Sequence, residues 1–345
     1  MDDSEAKLRT VLDAIEKNGT GLTQANLQDA KLQLEHLSKE GGVFKTRNLH
    51  GEERTIPIDP TQLEPNQSFK LILRPCQSCD PEGRPSPGDG FNSPTDCPIW
   101  IIPMRDSRNW KGDCCATVKD INESIQHAEQ LWLTSQTRAN LIEFFAQHVA
   151  SANQIDQIVC FGLGDFSNIS ASDPVTDAQS LDNTCVIQHL AALKIRRLAR
   201  RFQHGDPDRT IKIFAQDPDY CAFTRQLLTS GLPLGHEEDS AIEVVYNPEA
   251  FFLVNANTFV LSIYVGRFVP QVVAESTAAF GGPAGVLCGP VLKNPRENSL
   301  CPELWRLKQR CFAAMVLEEE EEGGEEVWPE TGVYLNSAEN VVSRL

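Results

Sequence analysis

The stretch IDQIVCFGLGDFS, residues 155–167, decides the fold. Ile155, Ile158, Val159, Cys160 and Phe161 form a short apolar run, too short for a helix and rich in β-branched and aromatic residues, so it predicts a buried strand. Gly162 and Gly164 end it. Glycines at a strand's end permit positive φ and let backbone N–H groups come close to a ligand.

The same pattern recurs downstream. CVIQHLAALKIRRLARRF (185–202) predicts an amphipathic helix, TIKIFAQDPDY (210–220) a second strand, and CAFTRQLLTSG (221–231) a helix closed by Gly231. AIEVVYNP (241–248) and NTFVLSIYV (257–265) predict further strands, QVVAES (271–276) a short helix, GVLCGP (285–290) a fifth strand and PELWRLKQRCFAAMVL (302–317) a closing helix. Strands alternating with helices imply right-handed crossovers. The expected fold class is therefore α/β, a Rossmann-like, mostly parallel sheet with helices on both faces. Ligands in such folds bind beyond the carboxyl ends of the strands, where strand order reverses. The turn at Gly162 lies at such an end.

Upstream, residues 120–150 read as helix in two pieces, with Leu131, Leu133, Leu141, Phe144, Phe145 and Val149 supplying apolar faces. Residues 1–42 predict a helical hairpin over 3–17 and 23–40, stopped by Gly41-Gly42. Residues 43–119 are Pro-rich, with short apolar runs at 69–73 and 99–103 and a turn-forming segment at 75–98. That segment holds the pair Cys76 and Cys79, which Cys97, Cys114 and Cys115 could in principle complete as a zinc site. One pair without a second at matching spacing favours incidental thiols and no metal. The expected domains are 1–42, 43–119, 120–317 and an acidic tail over 318–345.

The chain has 345 residues and a net charge of −17, which argues against nucleic acid and anionic membrane as partners. Seven Glu fall in EEEEEGGEE (318–326), so the rest carries −10; such a run repels itself and is usually solvated. No stretch of about 18 apolar residues is present, and the acidic N-terminus does not read as a secretory signal. Eleven irregularly spaced Cys suggest reduced thiols, hence cytoplasm or nucleus. Motifs of the type G-x-S-x-G, G-x-x-x-x-G-K-[ST] and H-E-x-x-H are absent, so hydrolase, kinase and metalloprotease readings have no support.

The candidate binding residues cluster around two turns. A dinucleotide fingerprint would need a third glycine where Ser167 stands, and Asp165 inside the turn disfavours a bare pyrophosphate. A structural turn and a ligand cradle both remain open. Asp217 follows the second strand and could accept from ribose hydroxyls, or simply cap the next helix. Gln188 and His189, near the start of the helix after the turn, could face the strand tips, where His could act as acid, base or orienting donor. Lys194, Arg196, Arg197, Arg200 and Arg201 read as a solvated cationic face.

VCFGLGDFS (159–167), Gln188-His189, AQDPDY (215–220), NTFVLS (257–262) and VPQVVAE (269–275) follow one another as in SRR-like proteins, a family named for Sensitivity to Red Light Reduced. The chain resembles the fungal branch of that family over roughly residues 120–315, with a long loop at 168–184 as a departure. The resemblance implies a compact Rossmann-like domain and a regulatory role acting through protein partners, in light and circadian signalling, haem synthesis control or growth. It supplies no established reaction. It carries over Gly162, Gly164, Gln188, His189, Asp217, Pro218 and Tyr220 as motif residues around a small-molecule pocket. The alternative is an enzyme using S-adenosylmethionine or a nicotinamide cofactor bound between Gly162–Ser167 and Asp217.

Overall fold

The computed structural model describes residues 17–18, 21–48, 51–63, 67–73, 98–105, 117–167, 183–204, 206, 209–234, 240–263, 268–291, 302–317, 328 and 331–337. Cys76, Cys79, Cys97, Cys114, Cys115, the loop 168–182 and all but the last residue of the helix expected over 3–17 lie outside them.

In chain order the first elements are α1 (Gln24–Glu40), β1 (Gly42–Arg47), β2 (Glu53–Ile58), β3 (Gln67–Leu73), β4 (Ile99–Arg105), α2 (Val118–Thr134) and α3 (Gln136–His148). Then come β5 (Gln157–Phe161), α4 (Asn183–Ala199), β6 (Lys212–Gln216), α5 (Ala222–Ser230), β7 (Glu243–Val244) and α6 (Glu249–Leu253). The last are β8 (Thr258–Ser262), α7 (Phe268–Thr277), β9 (Gly285–Cys288), α8 (Pro302–Arg310), β10 (Cys311–Leu317) and β11 (Thr331–Asn336). They divide into two compact units, one from residues 1–106, 267–282 and 291–309, the other from 107–266, 283–290 and 310–345.

In the first unit, the Thr23 hydroxyl caps α1 by accepting the Asn26 N–H at 3.2 Å. Gly41, at φ 71°, ends the helix and donates its N–H to the Leu37 carbonyl. β1 and β2 form one antiparallel hairpin, β3 and β4 another. α1 packs on β1 and β3, and Leu22, Leu27, Phe44 and Leu71 are buried there.

The second unit holds a seven-stranded sheet in the order β10-β11-β9-β8-β5-β6-β7, flanked by helices. The pairings from β9 through β7 are parallel, while β11 runs antiparallel to both β9 and β10. Every residue of β8 is buried, as are four of the five in β5, which is why these strands read as continuous apolar runs rather than alternations. The chain moves from β5 outward to β6 on one side, then returns to place β8 on the other. Strand order thus reverses between β5 and β8.

Ser135 divides the helical stretch before β5. Its N–H donates to the Trp132 carbonyl, and its hydroxyl accepts the Arg138 N–H to start α3. At the start of α2, Thr117 and Asp120 form a reciprocal capping box. Leu131 and Leu133 are only half-buried, and Ile121, Ile125, Ala128 and Trp132 form the buried face of α2 instead.

Three local expectations change. α4 is not amphipathic: almost its whole surface is buried, because α2 and α3 cover the side away from the sheet. The stretch 302–317 is helical only to Arg310. Cys311–Leu317 becomes β10, since Ala313 and Leu317 join the core and the strand finds β11 as its partner, which overrides the helix preference of Ala, Met and Leu. The chain past residue 317 is not all tail: β11 is buried at all six positions, and Trp328 packs on Trp132 with ring centroids 6.1 Å apart.

β9 can lie against Phe259 only because residue 285 has no side chain. A Cβ there would meet the Phe259 ring at 2.7 Å and the Tyr334 carbonyl oxygen at 2.9 Å, whereas one at Gly289 would meet nothing within 4 Å. Gly285→Val is expected to cost about 1–3 kcal/mol in chemical denaturation through overpacking. Gly289→Ala should stay within about 0.5 kcal/mol of the parent. Equal effects at the two positions would contradict this packing.

Candidate functional site

The turn after β5 has the backbone its sequence demands, with Gly162 at φ 62° and Gly164 at φ 83°. Gly162 donates its N–H to the Gln216 carbonyl at 2.9 Å, so the two strand tips are tied at once. Gly164 donates to Asp217 Oδ2 at 2.8 Å. The other oxygen of Asp217 accepts the Asp219 N–H at 2.8 Å.

Asp165 makes the reverse connection. Its Oδ2 accepts the Cys221 N–H at 2.5 Å, and its Oδ1 accepts the Ser167 N–H at 2.8 Å together with the Ser167 hydroxyl. Phe166 adds an N–H donated to Thr224 Oγ1 at 3.3 Å. Each turn therefore sends a carboxylate into the backbone of the other. Burial pushes the Asp217 carboxyl above its ordinary range, against the two N–H donors that pull it down.

Beneath this knot sits His189, with no exposed surface. Nδ1 lies 2.6 Å from the Cys185 carbonyl and Nε2 lies 2.8 Å from the Tyr220 hydroxyl. A carbonyl can only accept, so Nδ1 carries the proton and Nε2 accepts from the tyrosine. The Phe166 ring meets the imidazole edge-on, with centroids 4.9 Å apart. Burial lowers the His189 pKa to about 4, although the Cys185 carbonyl and the Asp165 charge both favour the protonated form. Burial likewise pushes the Tyr220 hydroxyl well above its usual range.

The structure thus brings Gly162, Gly164, Asp165, Ser167, His189, Asp217 and Tyr220 into one connected cluster. Gln188 stands apart. Its side chain has no exposed surface, and neither its amide oxygen nor its amide nitrogen makes a hydrogen bond. At 100° per residue it lies roughly a third of a turn from His189 on α4. Ser262, at the tip of β8 beside the point of strand reversal, is buried with an unpartnered Oγ as well.

Sequence reasoning missed Ser262, Cys221 and Thr224. Ser262 closes the apolar run TFVLS, and that polar closing residue was the available signal. Cys221 caps α5 with its Sγ 3.4 Å from the Thr224 N–H, a role no cysteine spacing would announce. Of the five cationic residues in and just after α4, Arg196 is buried and donates to the Ala241 carbonyl at 3.4 Å, while Arg197 and Arg201 are exposed. Among the described residues no group of three or more His, Cys, Asp or Glu is placed to hold a metal, and Cys160, Cys185, Cys221 and Cys288 are buried free thiols. No helix among the described residues is long and apolar enough to cross a membrane.

A buried neutral histidine makes stability depend on pH. Below about pH 6.5 the unfolded chain takes up a proton that the native state refuses until about pH 4, so stability falls as pH drops through that window. The His189 contribution amounts to about 3 kcal/mol between pH 7 and pH 4. Asp217, with its raised pKa, opposes this in the carboxylate range. Denaturation of His189→Gln across this pH range is expected to show a shallower loss than the parent, and identical slopes would remove His189 as the cause.

A family model described as the SRR1 domain matches residues 135–324. No curated protein and no solved structure matches the chain. The matched segment opens at Ser135, the cap of α3, and contains both braced turns, all of α4 and the parallel core of the sheet. It covers more than half of the sequence, and the chain belongs to the SRR1 domain family.

Proposed function

We propose that this chain is a cytoplasmic or nuclear regulatory protein whose SRR1 domain binds a small molecule at the carboxyl ends of the parallel strands and acts through protein partners. The observation that carries this reading is Gln188. A buried amide with neither atom hydrogen-bonded costs about 1–3 kcal/mol, and a ligand offering both a donor and an acceptor would recover it. Ser262 supports the same reading, because its free hydroxyl lies where strand order reverses.

The alternative, an enzyme holding a nucleotide cofactor at the glycine turn, draws on the same strand-tip position. Against it, the N–H groups of Gly162, Gly164, Phe166 and Ser167 are all donated within the protein. A pyrophosphate cradle needs such groups available. His189 has both ring nitrogens engaged, which disfavours general acid–base work near neutral pH.

The test pairs one substitution with a ligand screen. Gln188→Leu, nearly volume-neutral, is expected to stabilise the unliganded protein by about 1–3 kcal/mol. Parent protein screened by thermal shift against S-adenosylmethionine, NAD, free purines and tetrapyrrole precursors should gain about 2.7 kcal/mol from a ligand at 100 times its Kd. Gln188→Leu should lose that gain. A stabilised Gln188→Leu together with an unshifted parent for every compound would reduce Gln188 to a packing cost and end the ligand reading.

A further inference from the structure

One edge of the seven-stranded sheet is β10, which among the described residues pairs with β11 alone. The edge of a sheet carries N–H and carbonyl groups that can template another strand, and folded proteins blunt such edges with short strands, charges, proline or a covering group. Two other edges in this chain are blunted in that way. β7, at the opposite end of the sheet, has two residues. On β1, the Gln33 side-chain amide occupies both backbone groups of Lys45, accepting its N–H at 2.9 Å and donating to its carbonyl at 3.1 Å. β10 runs for seven residues, Cys311–Leu317, with no charge and no proline. Its irregularity is a register shift between Cys311 and Ala313, after which Ala313–Leu317 presents a regular edge.

The side chains point the same way. Ala313 and Leu317 enter the core, while Phe312, Ala314 and Val316 alternate with them and are exposed. Among the described residues, Phe312 and Val316 are two of five large apolar side chains left exposed, so this strand concentrates what the rest of the surface avoids. We propose that β10 pairs antiparallel with β10 of a second copy of this chain, about a twofold axis at Ala314, so that two sheets become one. In that register all seven positions find an apolar partner. Ala314 meets its own copy, exposed Val316 reaches the partner's exposed Phe312, and core-facing Ala313 lies opposite the partner's Met315. A strand that is its own complement suits the self-complementary interface of a twofold dimer. The sequence also sets the direction, because Glu318–Glu322 follow β10 at once. Parallel pairing would set the five Glu of one copy against those of the other, whereas antiparallel pairing sends the two runs to opposite ends. A single strand pair is small beside the roughly 1,200–2,000 Å² of a stable complex, so the expected Kd is about 1–100 μM. The pairing is independent of the ligand reading at Gln188 and stands if that reading fails.

Sedimentation equilibrium of the full chain tests it, with a monomer–dimer equilibrium expected between about 1 and 300 μM. Val316→Lys alters a side chain that is 60% exposed, so it should leave the monomer's unfolding unchanged while weakening the dimer by about tenfold or more. Cysteine pairing reads the register. Two copies of Ala314→Cys would face each other at a Cα separation of about 4.5–5.5 Å, within reach of a disulfide. Two copies of Val316→Cys would lie four residues apart along the strands, about 14 Å, which is out of reach. Under mild oxidation Ala314→Cys is expected to form the inter-chain disulfide several-fold above the parent, and Val316→Cys to stay at the parent's level. A monomer throughout the concentration range, a dimer untouched by Val316→Lys, or equal cross-linking at the two positions would each overturn the proposal.

Discussion

The strand tips depend on two carboxylates that exchange places, Asp165 buried and Asp217 half-buried. Asp165, on the turn after β5, accepts an N–H at the start of α5, and Asp217, on the turn after β6, accepts an N–H within the glycine turn. Neither turn can move without breaking the other's bonds. Taking two neighbouring acids wholly or partly out of water is unfavourable unless donors surround them, and backbone N–H groups supply those donors here. The glycines serve the same end. With positive φ at Gly162 and Gly164, their own N–H groups are directed to the Gln216 carbonyl and to Asp217 instead of to solvent. His189 and Tyr220 then close the knot from below, with a hydrogen bond whose direction the Cys185 carbonyl dictates.

The helix that crosses from β5 to β6 is the other organising element. α4 is buried on nearly all sides, so its faces have separate environments: small residues and Gln188 on one, His189 on a second, and Leu190, Lys194 and Arg197 on a third. That arrangement requires α2 and α3 as an outer cover, and α3 begins where the family match begins. At its other end the match stops at residue 324, between β10 and β11. Yet β10 joins the sheet only through β11. The folding unit must therefore extend past the matched segment, and a chain cut at 324 would leave β10 without its partner and Trp132 without Trp328.

How much of this was legible in the sequence follows from how local each signal is. β5, β6, β8 and β9 announce themselves because strands buried on both faces are continuous apolar runs. The glycine turn was legible too, because only glycine suits its dihedrals. What the turn binds was not: Gly164 and Asp217 are brought together by strand pairing across 53 positions, and no spacing rule reports it. β10 was misread because Cys-Phe-Ala-Ala-Met-Val-Leu has good helix formers and its partner strand is hidden behind seven Glu. α4 was misread because its Lys and Arg suggest a wet face, whereas burial is decided by helices elsewhere in the chain. The missing partners of Gln188 and Ser262 are invisible in sequence for the same reason.

Chemistry at the strand tips is constrained by that closure. A group that moves protons must hold a free lone pair or proton within reach of a substrate and titrate near the working pH. His189 has both nitrogens engaged and a pKa near 4, the Tyr220 hydroxyl is committed to donating a hydrogen bond to His189, and both Asp carboxylates are saturated with backbone donors. Gln188 and Ser262 differ in kind: they are neutral, buried and unengaged, and neutral polar groups recognise rather than react. Strand tips that fix their titratable groups and leave Gln188 and Ser262 unpaired fit the proposed reading, in which one small molecule is distinguished from another. The desolvation already borne by those unpaired groups means that a ligand lacking the matching donor and acceptor gains nothing from entering, which is the physical basis of selectivity at such a site.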